Sequence, residues 1–103
     1  KKGTLTISGK GEMPKKMTFK NNKKVKKVVI KNGVTSVSDK AFYKCKNLSK
    51  VTIGKSVKKI GIDSFNGTKI KKVTIPKKVK EIGQDAFNNC KQLENITLPA
   101  NID

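Results

Sequence analysis

The chain contains no histidine, no tryptophan and no arginine, and among its 103 positions it has seven acidic residues and one tyrosine. Without histidine, the side chain that most often serves as general base and metal ligand near neutral pH is missing. Without arginine there is no planar fork to grip a phosphate or a guanine edge through two bonds. Every basic residue is therefore a lysine, a strongly hydrated point charge. Aromatic residues make up 5% of the chain and hydrophobic residues 34%, so the apolar positions must be used efficiently to build a core. No run approaches the roughly 18 apolar residues of a membrane-spanning helix, and no charged-then-apolar leader opens the chain. The first residues, "KKGTLTISG", lack an initiator methionine, and the expectation is an excised domain or a processed mature fragment.

Positive charge is what the chain has in excess. Its 25 lysines stand against seven acidic residues, a net charge of +18, where a small domain usually carries a magnitude of about 2–8. Such a surface attracts polyanions without selecting among them. The length suits one domain, which at this size buries about two-thirds of its unfolded surface, leaving a thin stability margin.

Comparing the chain with itself exposes a repeat. "VKKVVIKNGVTSVSDKAFYKCKNL" from Val25, "LSKVTIGKSVKKIGIDSFNGTKI" from Leu48 and "IKKVTIPKKVKEIGQDAFNNCKQL" from Ile70 align, and a fourth copy, "LENITLPANID", begins at Leu93. From Val28 to Val51 is 23 residues, from Val51 to Val73 is 22, and from Val73 to Ile96 is 23. The short step arises in the loop "NGTK", since Phe65 to Ile70 is five residues where Phe42 to Leu48 and Phe87 to Leu93 are six.

Each unit opens with an apolar, β-branched, period-two segment such as Val51 and Ile53, the pattern of a short strand. A turn follows at Asn32-Gly33, Gly54 or Pro76. A second short strand is expected at Val34 and Val37, Val57 and Ile60, and Val79 and Ile82. Gly61 and Gly83 then mark a point where the backbone needs a conformation open to glycine. Asp39, Asp63 and Asp85 stand two or three residues before Phe42, Phe65 and Phe87, as helix-capping side chains do, which predicts one turn of helix or 3₁₀ there. No unit can bury its apolar residues alone. Stacked units would place Phe42, Phe65 and Phe87 in one ladder and Leu48, Ile70 and Leu93 in another, with Cys45 and Cys90 as small apolar rungs.

The pattern "LxxVTIPxxVxxIGxxAFxxCxxL", nearly whole between Ile70 and Leu93, resembles the BspA-type leucine-rich repeat of secreted and cell-surface bacterial proteins. The resemblance covers about residues 25 to 99, and "GTLTISGKGEMP" resembles the lead-in to such arrays. Departures are Ser64 for alanine, Thr68 with a deletion where cysteine would stand, and Gly54 for proline. The implied fold is a mainly β leucine-rich-repeat solenoid with short 3₁₀ or helical turns. It has about four repeats of 22–23 residues: a cap over residues 1–24, then an array over 25–103 made of units 25–47, 48–69, 70–92 and a partial 93–103. By the same resemblance the protein is an extracellular or cell-surface adhesion module contacting a host matrix protein or an anionic glycan. The alternative is a structural spacer holding another domain off the cell wall.

The residues themselves offer little chemistry beyond binding. The carboxylates are scattered, and no phosphate loop or nucleophile elbow is present, so the reading is a non-enzyme without cofactor or metal. Cys45 and Cys90 lie two rungs apart, roughly 9–10 Å, beyond the ~7 Å reach of a disulfide, and are expected as free thiols. On the first strand, the residues flanking the central anchor point outward. One column is Lys27, Lys50, Lys72 and Asn95; the other is Val29, Thr52, Thr74 and Thr97. A ladder of lysines on adjacent strands either serves an acidic partner or is tolerated because long side chains splay into water. The candidate contact surface is Lys27, Lys50, Lys72, Thr52, Thr74, Asn95 and Thr97. Specific nucleic-acid binding is not expected, because the ladder commits Phe42, Phe65 and Phe87 and leaves only Tyr43 and Phe19 as platforms. Asn47, Asn66 and Asn95 begin Asn-x-Ser/Thr triplets, read here as products of the repeat. Leu5, Ile7, Met13, Met17 and Phe19 suffice for a covering hairpin at the N-terminal end. The C-terminal strand edge has no such cover, and the expectation is either a longer parent protein or end-to-end association of this edge with another chain.

Overall fold

In the computed structural model, which describes residues 3–14 and 16–99, the chain winds as a spiral of short parallel strands. Odd-numbered strands lie on one face: β1 (Thr4–Ile7), β3 (Lys27–Ile30), β5 (Lys50–Ile53), β7 (Lys72–Thr74) and β9 (Asn95–Thr97). Even-numbered strands form a second face: β2 (Gly11–Glu12), β4 (Val34–Val37), β6 (Lys59–Ile60) and β8 (Glu81–Ile82). Every ladder is parallel, and each pairs a strand with its equivalent one coil on, as in Thr4 with Lys27, Lys27 with Lys50 and Lys72 with Asn95. The β2-β4-β6-β8 sheet is continuous, whereas the first face is divided into β1-β3-β5 and β7-β9.

The apolar residues stack as the repeat requires. Val28, Leu48, Val57, Ile60, Ile70 and Val79 are fully buried. The rings of Phe42 and Phe65 lie 5.4 Å apart, as do those of Phe65 and Phe87, all nearly parallel. Pairs of this kind contribute about 0.5–1.5 kcal/mol each beyond the area they bury. Burial declines at the C-terminal end: Phe87 and Leu93 are half-buried against the core, and Ile96 and Leu98 are exposed.

Four expectations are corrected. The N-terminal segment is not a hairpin. β1 and β2 pair in parallel with β3 and β4 rather than with each other, so this segment is itself a coil. Its Phe19 extends the ring stack at 5.7 Å from Phe42, and so it is not an exposed platform.

Second, the described residues contain no helix or 3₁₀ turn. Around Phe42 the N–H groups alternate instead. Those of Ala41, Tyr43 and Cys45 close turns onto Ser38, Lys40 and Phe42, while those of Lys40, Phe42 and Lys44 donate to Ile62, Ser64 and Asn66 of the next coil. Lys40 and Lys44 have φ of 56°, a left-handed backbone that a right-handed helix cannot contain. The next coil repeats the alternation, with Asp63, Phe65 and Gly67 donating to Gln84, Ala86 and Asn88. A helix would turn these donors inward and leave neighbouring coils unbonded.

Third, the three aspartates are not equivalent caps. Asp63 and Asp85 occupy the left-handed position, with φ of 55° and 58°, which aspartate tolerates better than most residues. Asp39 lies one position earlier, and its Oδ1 accepts the N–H of Ile62 on the next coil at 2.8 Å.

Finally, Gly61 and Gly83 are required by crowding rather than by an unusual φ. A Cβ at Gly61 would lie 2.7 Å from the backbone nitrogen of Asp39, and one at Gly83 would lie 2.5 Å from that of Ile62.

Candidate functional site

The strand face presents the sequence-derived columns to solvent. Lys27, Lys50 and Lys72, with Thr52, Thr74, Asn95 and Thr97, are all exposed. The registers place Lys27 beside Lys50, Val29 beside Thr52, Lys72 beside Asn95 and Thr74 beside Thr97. Between β5 and β7 the ladder stops, although the strands remain neighbours. At the flanking joints the strand is entered through Ser49 N–H donating to Lys26 and Glu94 N–H to Lys71, but here Lys69 N–H donates to Leu48. The break thus coincides with the coil that is one residue short.

A groove of about 750 Å³ opens along this break. Val51, Ile53, Val73 and Pro76 line it with buried or half-buried apolar surface, and the exposed Thr52 and Thr74 add hydroxyls. The ammonium groups of Lys55, Lys72, Lys77 and Lys78 are exposed around it, and no carboxylate is among the lining residues. Of the candidate surface, the groove gathers Thr52, Lys72 and Thr74; Lys27, Lys50, Asn95 and Thr97 do not line it. The turn lysines Lys55, Lys77 and Lys78 were legible only as abundant charge. The signal that would have singled them out is the deleted residue, which marks where the strands separate.

Elsewhere the charge is hardly compensated: the only ion pair among the described residues joins Lys59 Nζ to Glu81 at 3.7 Å, and both are exposed. Tyr43 is half-buried beneath Lys40 and Lys44, whose ammonium groups lie 5.7 and 5.3 Å from its ring centre.

Both cysteines are free and buried. Cys45 Sγ donates to the Phe19 carbonyl at 3.0 Å, and Cys90 Sγ donates to that of Phe65, also at 3.0 Å. The thiol rungs therefore tie successive coils at the base of the ring stack. Burial pushes the Cys45 thiol above its ordinary pKa, opposed by a backbone hydrogen bond from Asn22. Of the three Asn-x-Ser/Thr asparagines, Asn66 is buried and its amide bridges Asp63 and Asn89, while Asn47 donates to the Lys23 carbonyl.

The parallel spiral, its 22–23-residue step and its stacked phenylalanines agree with the match of residues 14–103 to the model of the BspA type leucine rich repeat region. The chain belongs to the BspA-type leucine-rich repeat family. Among solved structures, a leucine rich cell surface protein from Faecalibacterium prausnitzii A2-165 is 40% identical with a TM-score of 0.71, over 72% of this chain and 20% of that one. A leucine-rich repeat protein from Eubacterium ventriosum ATCC 27560 shares the fold at 23% identity and a TM-score of 0.55, over 96% of this chain and 40% of its own. One from Bacteroides ovatus ATCC 8483 does so at 24% and 0.57, over 96% and 35%. The BspA-type chain described here thus spans 20–40% of the length of these structures. No curated protein sequence matches it.

Proposed function

We propose that this repeat array is a non-catalytic binding module of a bacterial cell-surface or secreted protein, and that it holds an extended acidic segment of a host matrix protein in the groove between β5 and β7. The observation that carries this reading is the combination found there. Apolar surface from Val51, Ile53, Val73 and Pro76 is ringed by four lysines with no carboxylate to neutralise them. An extended peptide alternates its side chains between two faces, so one face can bury apolar groups while backbone and carboxylates meet Thr52, Thr74 and the ammonium groups. The interrupted ladder adds strand-edge backbone groups to the same opening. The sulfated or carboxylated glycan alternative lacks a use for this apolar surface. The four phenylalanines are stacked inside the array, which argues against a base-stacking role.

The test is binding of a fluorescently labelled peptide of alternating glutamate and valine, followed by anisotropy. Lys72→Glu with Lys77→Glu should weaken it at least roughly tenfold, whereas Lys31→Glu with Lys58→Glu, of equal charge change on other surfaces, should act only through net charge. Equal losses would mean that the groove is not a site. No binding by the parent chain would leave the lysines a solvation role, as in a spacer.

A further inference from the structure

A second lysine column lies on the loop edge, and it is more complete than the one on the strand face. Lys23, Lys46, Lys69 and Lys91 each stand four residues after a stacked phenylalanine, Phe19, Phe42, Phe65 and Phe87. One exposed lysine therefore falls on the same edge of every coil. In the strand-face column the equivalent run ends at Asn95, and on the second sheet Ser36, Lys59 and Glu81 alternate in character. The short loop after Phe65 lies in this column. A depression of about 550 Å³ opens there, with the buried Asn66 and Thr68 at its base and Lys44, Lys46, Lys69 and Lys91 on its sides. Its remaining lining includes the amides of Asn21, Asn89 and Gln92 and contains no carboxylate. Asn66 is fixed in place, since its Nδ2 donates to Asp63 Oδ1 at 2.9 Å and its Oδ1 accepts from Asn89 Nδ2 at 3.1 Å.

We propose that this edge binds a linear anionic polysaccharide laid along the axis of the coils. The lysines step by about 4.8 Å per coil, so the column spans roughly 14 Å. Ammonium groups make single, weakly directional contacts that suit sulfates or carboxylates strung along a flexible chain. The exposed amides of Asn21, Asn89 and Gln92 supply donors and acceptors for sugar hydroxyls. No aromatic or other hydrophobic side chain is among the lining residues, so neither a base nor an apolar peptide side chain finds a platform there. This site shares no lining residue with the strand-face groove, so it stands or falls independently of the reading above.

The experiment is calorimetric titration with a short heparin oligosaccharide and, separately, with inorganic polyphosphate of matched charge. Lys46→Gln, Lys69→Gln and Lys91→Gln together should weaken heparin binding at least roughly tenfold and flatten the salt dependence by about three contacts. The control combination Lys31→Gln, Lys58→Gln and Lys80→Gln removes the same charge elsewhere and should weaken it less than about twofold. Circular dichroism should show both variants folded, since all six residues are exposed. Equal weakening by the two combinations overturns the proposal. So does parent-chain affinity for polyphosphate equal to that for heparin, which would show that net charge alone is read.

Discussion

The hydroxyl of Thr68 lies 3.3 Å from the thiol of Cys90, one coil apart in the column that Cys45 begins. The contact fixes the register of the short coil, because it sets Thr68 in the cysteine position and confines the missing residue to the stretch between Lys69 and Ile70.

Thr68→Cys should therefore create a pair on adjacent coils, within the roughly 4.4–6.8 Å Cα separation that a disulfide accepts. After mild oxidation and denaturation, thiol titration should find a single free thiol. Three free thiols would mean that Thr68 does not occupy the column.

Ser64 is fully buried between the alanine positions of its neighbours, and its Oγ has no hydrogen-bond partner. An unsatisfied buried hydroxyl costs about 1–3 kcal/mol. Ser64→Ala should raise the urea midpoint, by an amount equivalent to about 1 kcal/mol, with an unchanged slope. A lower midpoint would show that the hydroxyl is bonded after all.

Phe65 is packed between two rings and fully buried, whereas Phe87 is half-buried at the end of the stack. Phe65→Ala should remove about 3–5 kcal/mol, enough to unfold much of the population of a marginal domain, and Phe87→Ala about 1–3 kcal/mol. Equal losses in denaturant titrations would contradict a linear stack with a weaker end.

Burial raises the pKa of the Cys45 thiol, so the folded state keeps its proton at pH values where the unfolded chain has lost it. The contribution is fully present below the ordinary thiol pKa of about 8.5 and is lost as pH rises from there through the raised folded value. Urea midpoints compared between neutral and alkaline pH should fall more for the parent chain than for Cys45→Ala. Parallel falls would show that the thiol is not responsible.

Periodicity made the spiral legible because stacked coils must repeat their apolar residues at one interval, and Phe42, Phe65 and Phe87 report that interval directly. Letters alone did not reveal backbone handedness. Lys40 and Lys44 take a left-handed φ because inter-coil bonding demands it, and nothing in lysine favours that conformation. Asp39 was grouped with Asp63 and Asp85 by identity, although its offset of three rather than two from the phenylalanine places it in another column. Phe19 and β1 read as part of a covering hairpin rather than as a further coil, because this segment shares the fold's geometry without its motif. The seven candidate contact residues were correctly read as outward-facing. Their division was not foreseen, because the consequence of one deleted residue lies in hydrogen bonds between coils rather than in any side chain.

The interrupted ladder also makes the array mechanically uneven. On one side of the β5–β7 joint the backbone bonds are missing, while the β6-β8 ladder and the Phe65–Phe87 stack continue across the other. Bending at that joint would pivot about the ring stack and open the strand face, so an occupant wedged there would change the curvature of the spiral as well as filling a gap.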